Sequence, residues 1–293
     1  MTILVFGSIN IDIVVPVPLL PAPGETVLGG ERALLPGGKG ANQALAARRA
    51  GAAVAFAGSV GADGFAALAL DPLRRAGVDT SLVRECAAPT GCAAIMVSPS
   101  GENAIAVAPG ANALARAADV PDSSLGGDTL LLAQMEVPVG ETAALLRRLR
   151  ARGGRAVLSY APALPIDPAL LRDVDFLLAN RSEAARLGDT PQAIARTLRE
   201  GLVVTLGPEG AVAYMRDGGQ TAVAALPIEP IDTTGCGDTF AGVFAAALDA
   251  RLPPTLALRR ASAAAGLAAL ARGAQSAMPE AAAIDAALTR LPG

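Results

Sequence analysis

An α/β fold with a small β-sheet lid is what this sequence predicts, a three-layer α/β/α domain of Rossmann type, and three observations carry the prediction. Short apolar runs alternate with helix-favouring stretches along most of the chain, the pattern of βαβ units on a mostly parallel sheet. Two segments break that alternation, a Pro-rich stretch over 12–36 and a hairpin-like pair of runs near 91–108. The composition, 52% hydrophobic but 3% aromatic and without Trp over 293 residues, calls for a large aliphatic core. The expected division is therefore 1–11, 37–88 and 109–293 in the main domain, with 12–36 and 89–108 in the lid.

Thr2 to Ile9 is a β-branched apolar run ending at Gly7-Ser8, which predicts a buried strand at the sheet centre. From Asp12 to Pro36, Val14, Val15 and Val17 sit among Pro16, Pro18, Pro21 and Pro23, and Pro is excluded from central strands, so edge or lid material is expected. Gly37-Gly38-Lys39-Gly40 leads into a helix over Ala41 to Ala50 with Gly51 as its C-cap. Val54 to Ser59 reads as a strand, and Phe65 to Ala76 as a helix broken at Pro72. Gly91 to Val97 and Ala104 to Ala108 flank Ser98-Pro99-Ser100-Gly101-Glu102-Asn103, a hairpin signal, and should join the 12–36 segment in a small antiparallel sheet. Alternation then resumes with strands over Thr129 to Gln134, Ala156 to Tyr160, Phe176 to Ala179, Leu202 to Leu206 and Ala211 to Tyr214. Helices are expected over Glu141 to Ala151 and from near Gly237, Pro254 and Glu280.

Lys+Arg 24 against Asp+Glu 27 gives 24 − 27 = −3, which leaves no basic stripe for nucleic acid. A chain with no His cannot run a Ser-His-Asp or Cys-His mechanism and has no imidazole metal ligand. Cys86, Cys92 and Cys236 form no CxxC pair and no disulfide framework, which suits a reducing cytosol. No basic leader precedes an apolar run, and the apolar runs reach only about half of the roughly 20 residues a bilayer span needs, so a cytoplasmic protein away from membranes is expected.

Three segments carry chemistry. Asp232-Thr233-Thr234-Gly235-Cys236-Gly237-Asp238-Thr239-Phe240 precedes the helical stretch Ala241 to Asp249. Its glycines let backbone approach a ligand, and free N–H groups at a helix start make an anion site. A carboxylate at the rim of such a site, Asp238, is what phosphoryl transfer to an alcohol requires, although a tight turn with a capping Asp would read the same way. Gly37 to Gln43 is a second Gly-rich turn into a helix, with neither P-loop spacing nor a dinucleotide fingerprint. Asn180-Arg181-Ser182-Glu183 ends a strand where α/β enzymes place ligands, and serves either a magnesium–water cluster or a simple helix cap. A further turn, Thr205 to Gly210, has no chemistry of its own.

Together, and in this order, these segments resemble the PfkB, or ribokinase-like, family of sugar and nucleoside kinases, over essentially the whole chain. The likeness is greatest to its ribose-phosphorylating branch, through Gly7 to Asp12, Pro23 to Val27, Gly37 to Gln43, Gly101 to Asn103, Pro109 to Asn112 and Gly273 to Gln275. The resemblance implies an ATP-dependent kinase acting on the 5-hydroxyl of D-ribose, with Asp238 as catalytic base and Gly235, Cys236 and Gly237 as anion hole. It implies sugar contacts from Asn10, Asp12, Gly38, Lys39, Asn42 and Glu136. ATP contacts are implied at Asn180, Thr205, Gly207, Gly210 and Ser262, and a water-mediated Mg2+ contact at Glu183. A K+ site is implied at Asp232, Thr234, Ala268, Ala271 and Gly273, and a homodimer through the lid.

Three positions depart from the pattern. Cys236 stands where Ala is usual, which leaves the backbone N–H in place and puts an oxidisable thiol there. Ala277 removes a side-chain oxygen near the K+ loop, and Pro72 interrupts a helix. The rivals are a nucleoside kinase of pseudouridine or adenosine type, for which the aromatic supply is thin, and a non-catalytic sugar-binding regulator of the same fold, which would not need a proton acceptor. An NAD-dependent dehydrogenase is disfavoured by the missing fingerprint.

Overall fold

The structure is a computed structural model and describes residues 2–292. The chain opens with β1 (Thr2–Phe6), after which β2 (Asn10–Pro16) and β3 (Ala33–Gly37) leave the body and α1 (Lys39–Arg49) returns to it. There follow β4 (Val54–Gly61), α2 (Gly64–Arg75), β5 (Asp79–Cys86) and the hairpin β6 (Gly91–Val97) and β7 (Asn103–Ala108). The remaining elements are β8 (Thr129–Ala133), α3 (Val139–Arg150), β9 (Arg155–Ser159), α4 (Pro168–Leu171), β10 (Phe176–Asn180), α5 (Arg181–Ala185) and α6 (Pro191–Thr197). Then come β11 (Gly201–Thr205), β12 (Ala211–Met215), β13 (Gln220–Val223), α7 (Cys236–Asp249), α8 (Pro254–Ala268) and α9 (Ala281–Ala287).

Among the described residues the strands make two sheets. The larger runs β13-β12-β11-β10-β9-β8-β1-β4-β5, parallel from β11 to β5, with β12 and β13 added antiparallel at one edge. Apolar side chains face both ways from it, because strands covered on both sides have no solvent face to leave polar. Along β1, Ile3 and Val5 enter one core with α1, α2, α7 and α8, while Leu4 and Phe6 enter the other with α3 and α6. Leu130 and Leu132 against Leu131 and Ala133 repeat the division on β8. That alternation is the three-layer architecture expressed at single residues. Alanine keeps the helices of the first core close, and the few aromatics cluster, Phe176 meeting Phe244 edge-on at 5.3 Å between ring centres.

The second sheet, β3-β2-β6-β7, is the lid, and it is mixed rather than wholly antiparallel: β2 and β6 run parallel. The two hairpins come from separate excursions out of the body and leave it in the same direction, so their inner strands meet side by side. The prolines fall where a sheet tolerates them, Pro16 at the end of β2 and Pro36 in the edge strand β3. Helix α2 runs through Pro72 without the expected break. The carbonyl deprived of its donor belongs to Leu68, whose side chain is 39% exposed, so the missing bond falls on the side of the helix open to solvent. Strand β5, with Asp79, Arg84 and Glu85 along it, was not anticipated; its charged residues blur the apolar pattern and suit the open edge that it forms. No helix of the described residues is long and apolar enough to cross a membrane.

Candidate active site

The carboxyl ends of β9, β10 and β11 line one cleft with the starts of α1 and α7, the place where open α/β sheets bind ligands. At β1 the chain must pass very close to α1. A Cβ on Gly7 would lie 1.9 Å from Gln134 Oε1 and 2.8 Å from the Gly40 Cα, so only glycine fits. The next residue, Ser8, donates to Glu136 Oε2 at 2.6 Å, and the Lys39 N–H donates to the same oxygen at 3.1 Å. Glu136 is thereby pinned between the first strand and the start of α1. Gly38 adopts φ +90°, and a Cβ there would press on the Asn10 amide nitrogen at 2.8 Å.

Asn10 and Asp12 project from β2. Asn112 donates to Asn10 Oδ1 at 2.7 Å, turning the Asn10 amino group away as a donor toward the cleft. Gly37 lies opposite Asn10 and diagonal to Asp12, and a Cβ on it would stand 2.5 Å from both Asp12 carboxylate oxygens. Burial, then the charges of Glu136 and Asp238, push the Asp12 carboxyl up to about 6 against the lowering influence of Lys39. Lys39 moves upward as well, because the Asp238 carboxylate outweighs its burial.

Helix α7 begins where Gly235 takes the left-handed conformation, φ +74°, with Ala274 packed so closely that a Cβ would lie 2.7 Å from the Ala274 Cβ. The N–H groups of Gly237 and Asp238 head the helix with no carbonyl a turn before them, and a Cβ on Gly237 would meet open space. Asp238 is 9% exposed and accepts from Asn42 Nδ2 at 3.0 Å and from Gln43 Nε2 at 2.9 Å. Burial, with Asp232 and Asp238 adding to it, pushes the Cys236 thiol up to about 11. The expected oxidisable thiol is therefore corrected: it stays protonated at neutral pH and is a poor nucleophile.

Asn180 and Glu183 form a capping box, Asn180 Oδ1 accepting from the Glu183 N–H at 2.8 Å and Glu183 Oε2 from the Asn180 N–H at 2.7 Å. The capping role does not exclude the other, since both residues also line the cleft with Lys39, Thr205, Gly235, Gly237 and Asp238, around a volume of about 170 Å³. Gly207 and Gly210 turn the chain between β11 and β12 with φ +60° and +95°. Ser262 is set apart from the cleft, 5% exposed on α8 with its hydroxyl given to the Ala224 carbonyl at 2.7 Å.

Beneath the head of α7 two loops meet. Asp232 accepts from the Thr234 N–H at 2.9 Å with one oxygen and from the Gly273 N–H at 2.8 Å with the other, and the Ile231 N–H donates to the Ala269 carbonyl at 2.7 Å. Burial raises the Asp232 carboxyl, but the hydrogen bonds from Thr234 and Gly273 outweigh it and hold it below its usual range. Ala268 ends α8 and Ala271 lies in the loop after it, the Ala271 N–H reaching the Ala268 carbonyl at 3.3 Å. Ala277 offers no side-chain oxygen.

The residues that sequence reasoning left without a role are Ser8, Gln43, Asn112, Gln134 and Gln275, all of them buried. A Gln among the alanines of Ala41 to Ala47 is the one local sign, a polar side chain on a helix face that goes wholly inside.

A family profile, pfkB family carbohydrate kinase, matches residues 2–281. The chain is 34% identical over 292 residues to a ribokinase of Haemophilus influenzae, covering 95% of each, and 35% identical over 283 residues to one of Bacillus subtilis, covering 94% of this chain and 96% of that one. Among solved structures it is similar to a ribokinase from Thermotoga maritima, with TM-score 0.92 at 30% identity over 98% of this chain and 99% of that one. It is similar also to an Arabidopsis thaliana ribokinase complexed with ribose and ATP, with TM-score 0.87 at 29% identity over 98% of each.

Proposed function

Because this chain belongs to the pfkB family of carbohydrate kinases, we propose that it transfers the γ-phosphoryl group of ATP to the 5-hydroxyl of D-ribose. The observation that carries this reading is the buried Asp238 carboxylate at the open head of α7, with the polar groups of the lid base on one side and the ends of β10 and β11 on the other. Asp12 accepts hydrogen bonds from sugar hydroxyls, Asn10 donates its amino group, and Lys39, Asn42, Glu136 and the backbone at Gly38 complete the grip. The proton of the 5-hydroxyl moves to an Asp238 oxygen as the hydroxyl oxygen bonds to the γ-phosphorus. The bond from that phosphorus to the bridging oxygen breaks, and its electron pair leaves with ADP. The N–H groups at Gly235 and Gly237 stabilise the transferring phosphoryl from a fixed position, whereas the expected Cys236 N–H is already given to the Thr233 carbonyl at 3.2 Å. Asn180, Thr205, Gly207 and Gly210 contact ATP from the strand ends. Ser262 supports the nucleotide side only indirectly, by holding the chain at Ala224.

Glu183 keeps its Oε1 oxygen outside the capping box, so Asn180 and Glu183 suit the water shell of Mg2+, which neutralises phosphate charge when bound. The carboxylate of Asp232 with the backbone carbonyls of Thr234, Ala268, Ala271 and Gly273 suits K+, an all-oxygen set for a weakly hydrated cation, which supplies fixed positive charge when bound. The lid register places Asp12, Leu35, Ala93 and Val107 in one row, with Val14, Ile95 and Ile105 in the next row of the same face. Leu35, Ile105 and Val107 are 41%, 56% and 52% exposed there, and pairing of two lids in a homodimer covers them.

The reading is tested by ADP release over a panel of pentoses, hexoses and nucleosides. Ribose should give the highest kcat/KM, because a site built to bond specific hydroxyls discriminates by roughly 10⁴-fold against analogues lacking them. A nucleoside turned over more efficiently than ribose overturns it.

A further inference from the structure

The Asp238 carboxylate ends two arms of buried amides. An ionised carboxylate only accepts, so Asn42 and Gln43, neighbours on α1, must each turn an N–H toward it. Their carbonyl oxygens then face away. Gln275 Nε2 reaches the Asn42 oxygen at 3.1 Å, and Gln134 Nε2 reaches the Gln43 oxygen at 2.8 Å. Donation thus runs inward along both arms, from β8 through Gln43 and from the turn after α8 through Asn42, and stops at the carboxylate. Asn42 borders the proposed sugar space, but Gln43 and Gln134 are 0% and 1% exposed and present almost no surface that a ligand could touch.

We infer that Gln43, anchored by Gln134, is a positioning residue for phosphoryl transfer, holding the plane of the Asp238 carboxylate toward the attacking hydroxyl. The inference rests on the reading of Asp238 as the proton acceptor. One hydrogen bond per oxygen fixes both the direction and the plane of a carboxylate, whereas the Asn42 bond alone leaves it free to rotate. Charge-assisted bonds of this kind are directional, and small displacements of a reacting group slow a reaction strongly. The charged groups that act on Asp238 are Lys39 from α1 and Asp12 from β2, while the Gln43 side chain is hydrogen-bonded to Asp238 and Gln134.

The test is Gln43→Met, which conserves volume and removes the donor. kcat should fall about tenfold, while the KM for ribose and its Kd by calorimetry stay within about twofold. In an Asp238→Asn background the same change should lower kcat by less than about twofold, because the group it positions is gone. A residue needed only for folding would cost the same factor in both backgrounds, and that result overturns the inference, as does wild-type kcat in the single variant. If Asp238→Asn alone keeps near wild-type kcat, the reading of Asp238 has failed and the inference falls with it. Gln134→Met guards against a misfolded Gln43 variant: it leaves Gln43 in place but free to flip, and should lower kcat severalfold with the same loss of effect beside Asp238→Asn. Full activity in Gln134→Met overturns the two-residue arm.

Discussion

Asp12 is a carboxylate placed where its charge is unwelcome until a ligand arrives. Its folded-state value, about 6, is above the ordinary 3.8, so its contribution to stability is fully present below 3.8 and is lost as pH rises through about 6. At neutral pH the ionised group costs on the order of 2 kcal/mol, discounted for its partial exposure. Asp12→Asn should therefore unfold at a higher temperature than wild type at pH 7 and lose that advantage at pH 4. Ribose grip by an ionised Asp12 has the opposite dependence, so the KM for ribose should rise about tenfold between pH 7 and pH 5. A flat KM over that range, measured by steady-state kinetics, would show that Asp12 binds no hydroxyl in its charged form. Cys236 illustrates the reverse lesson: a helix start lowers a thiol, but burial beside two carboxylates wins here.

Between elements, the contact that matters most is α1 against α7. A Cβ on Gly242 of α7 would stand 2.4 Å from the Gln43 carbonyl oxygen, so glycine sets the helix spacing across which short amides reach Asp238. Two effects oppose each other in Gly242→Ala. Helix propensity favours Ala by about 1 kcal/mol, while overpacking against backbone costs about 1–3 kcal/mol. The clash should win, lowering the unfolding temperature and also kcat, and a stabilised, fully active variant would show that the helices separate freely. The two loops under α7 form a second inter-element contact. Asp232→Ala removes the acceptor that ties Thr234 to Gly273, and should abolish activation through the proposed K+ site as well. At fixed Mg2+ and ionic strength, K+ should activate the wild type over Na+ or a bulky organic cation, with a weak apparent affinity for the ion because of Ala277. Equal rates in all three cations would dispose of that site.

For the molecule as a whole, the lid is reached by four crossings from the body, and if its sheet closes as a unit in the proposed reaction, closure would exclude the water that competes for the phosphoryl group. In the proposed lid-paired dimer the apolar rows beside Asp12 would be covered, which would connect assembly with the proposed sugar side. Ile105→Lys with Val107→Glu should convert a dimer to a monomer by light scattering and raise the KM for ribose. A wild-type protein that is monomeric at micromolar concentration would remove lid pairing as the reason for those exposed residues.

The alternation of apolar runs, the lid-forming prolines and the Gly-rich turns before α1 and α7 were legible in the sequence, because strand period, helix capping and turn chemistry are local rules that act within a few residues. The lone Asp238, the Asn180 to Glu183 box and the Gly37 to Gln43 turn could be found the same way. The parallel pairing of β2 with β6, the continuity of α2 through Pro72 and the charged edge strand β5 depended on neighbours distant in sequence. So did the buried amides. Gln43, Gln134 and Gln275 are separated by 91 and 141 residues, and each alone is an ordinary polar residue. Only the packing of α1 on α7 beside β8 removes them from water, and a polar group without water must take its partner from whatever the fold brings within hydrogen-bond distance.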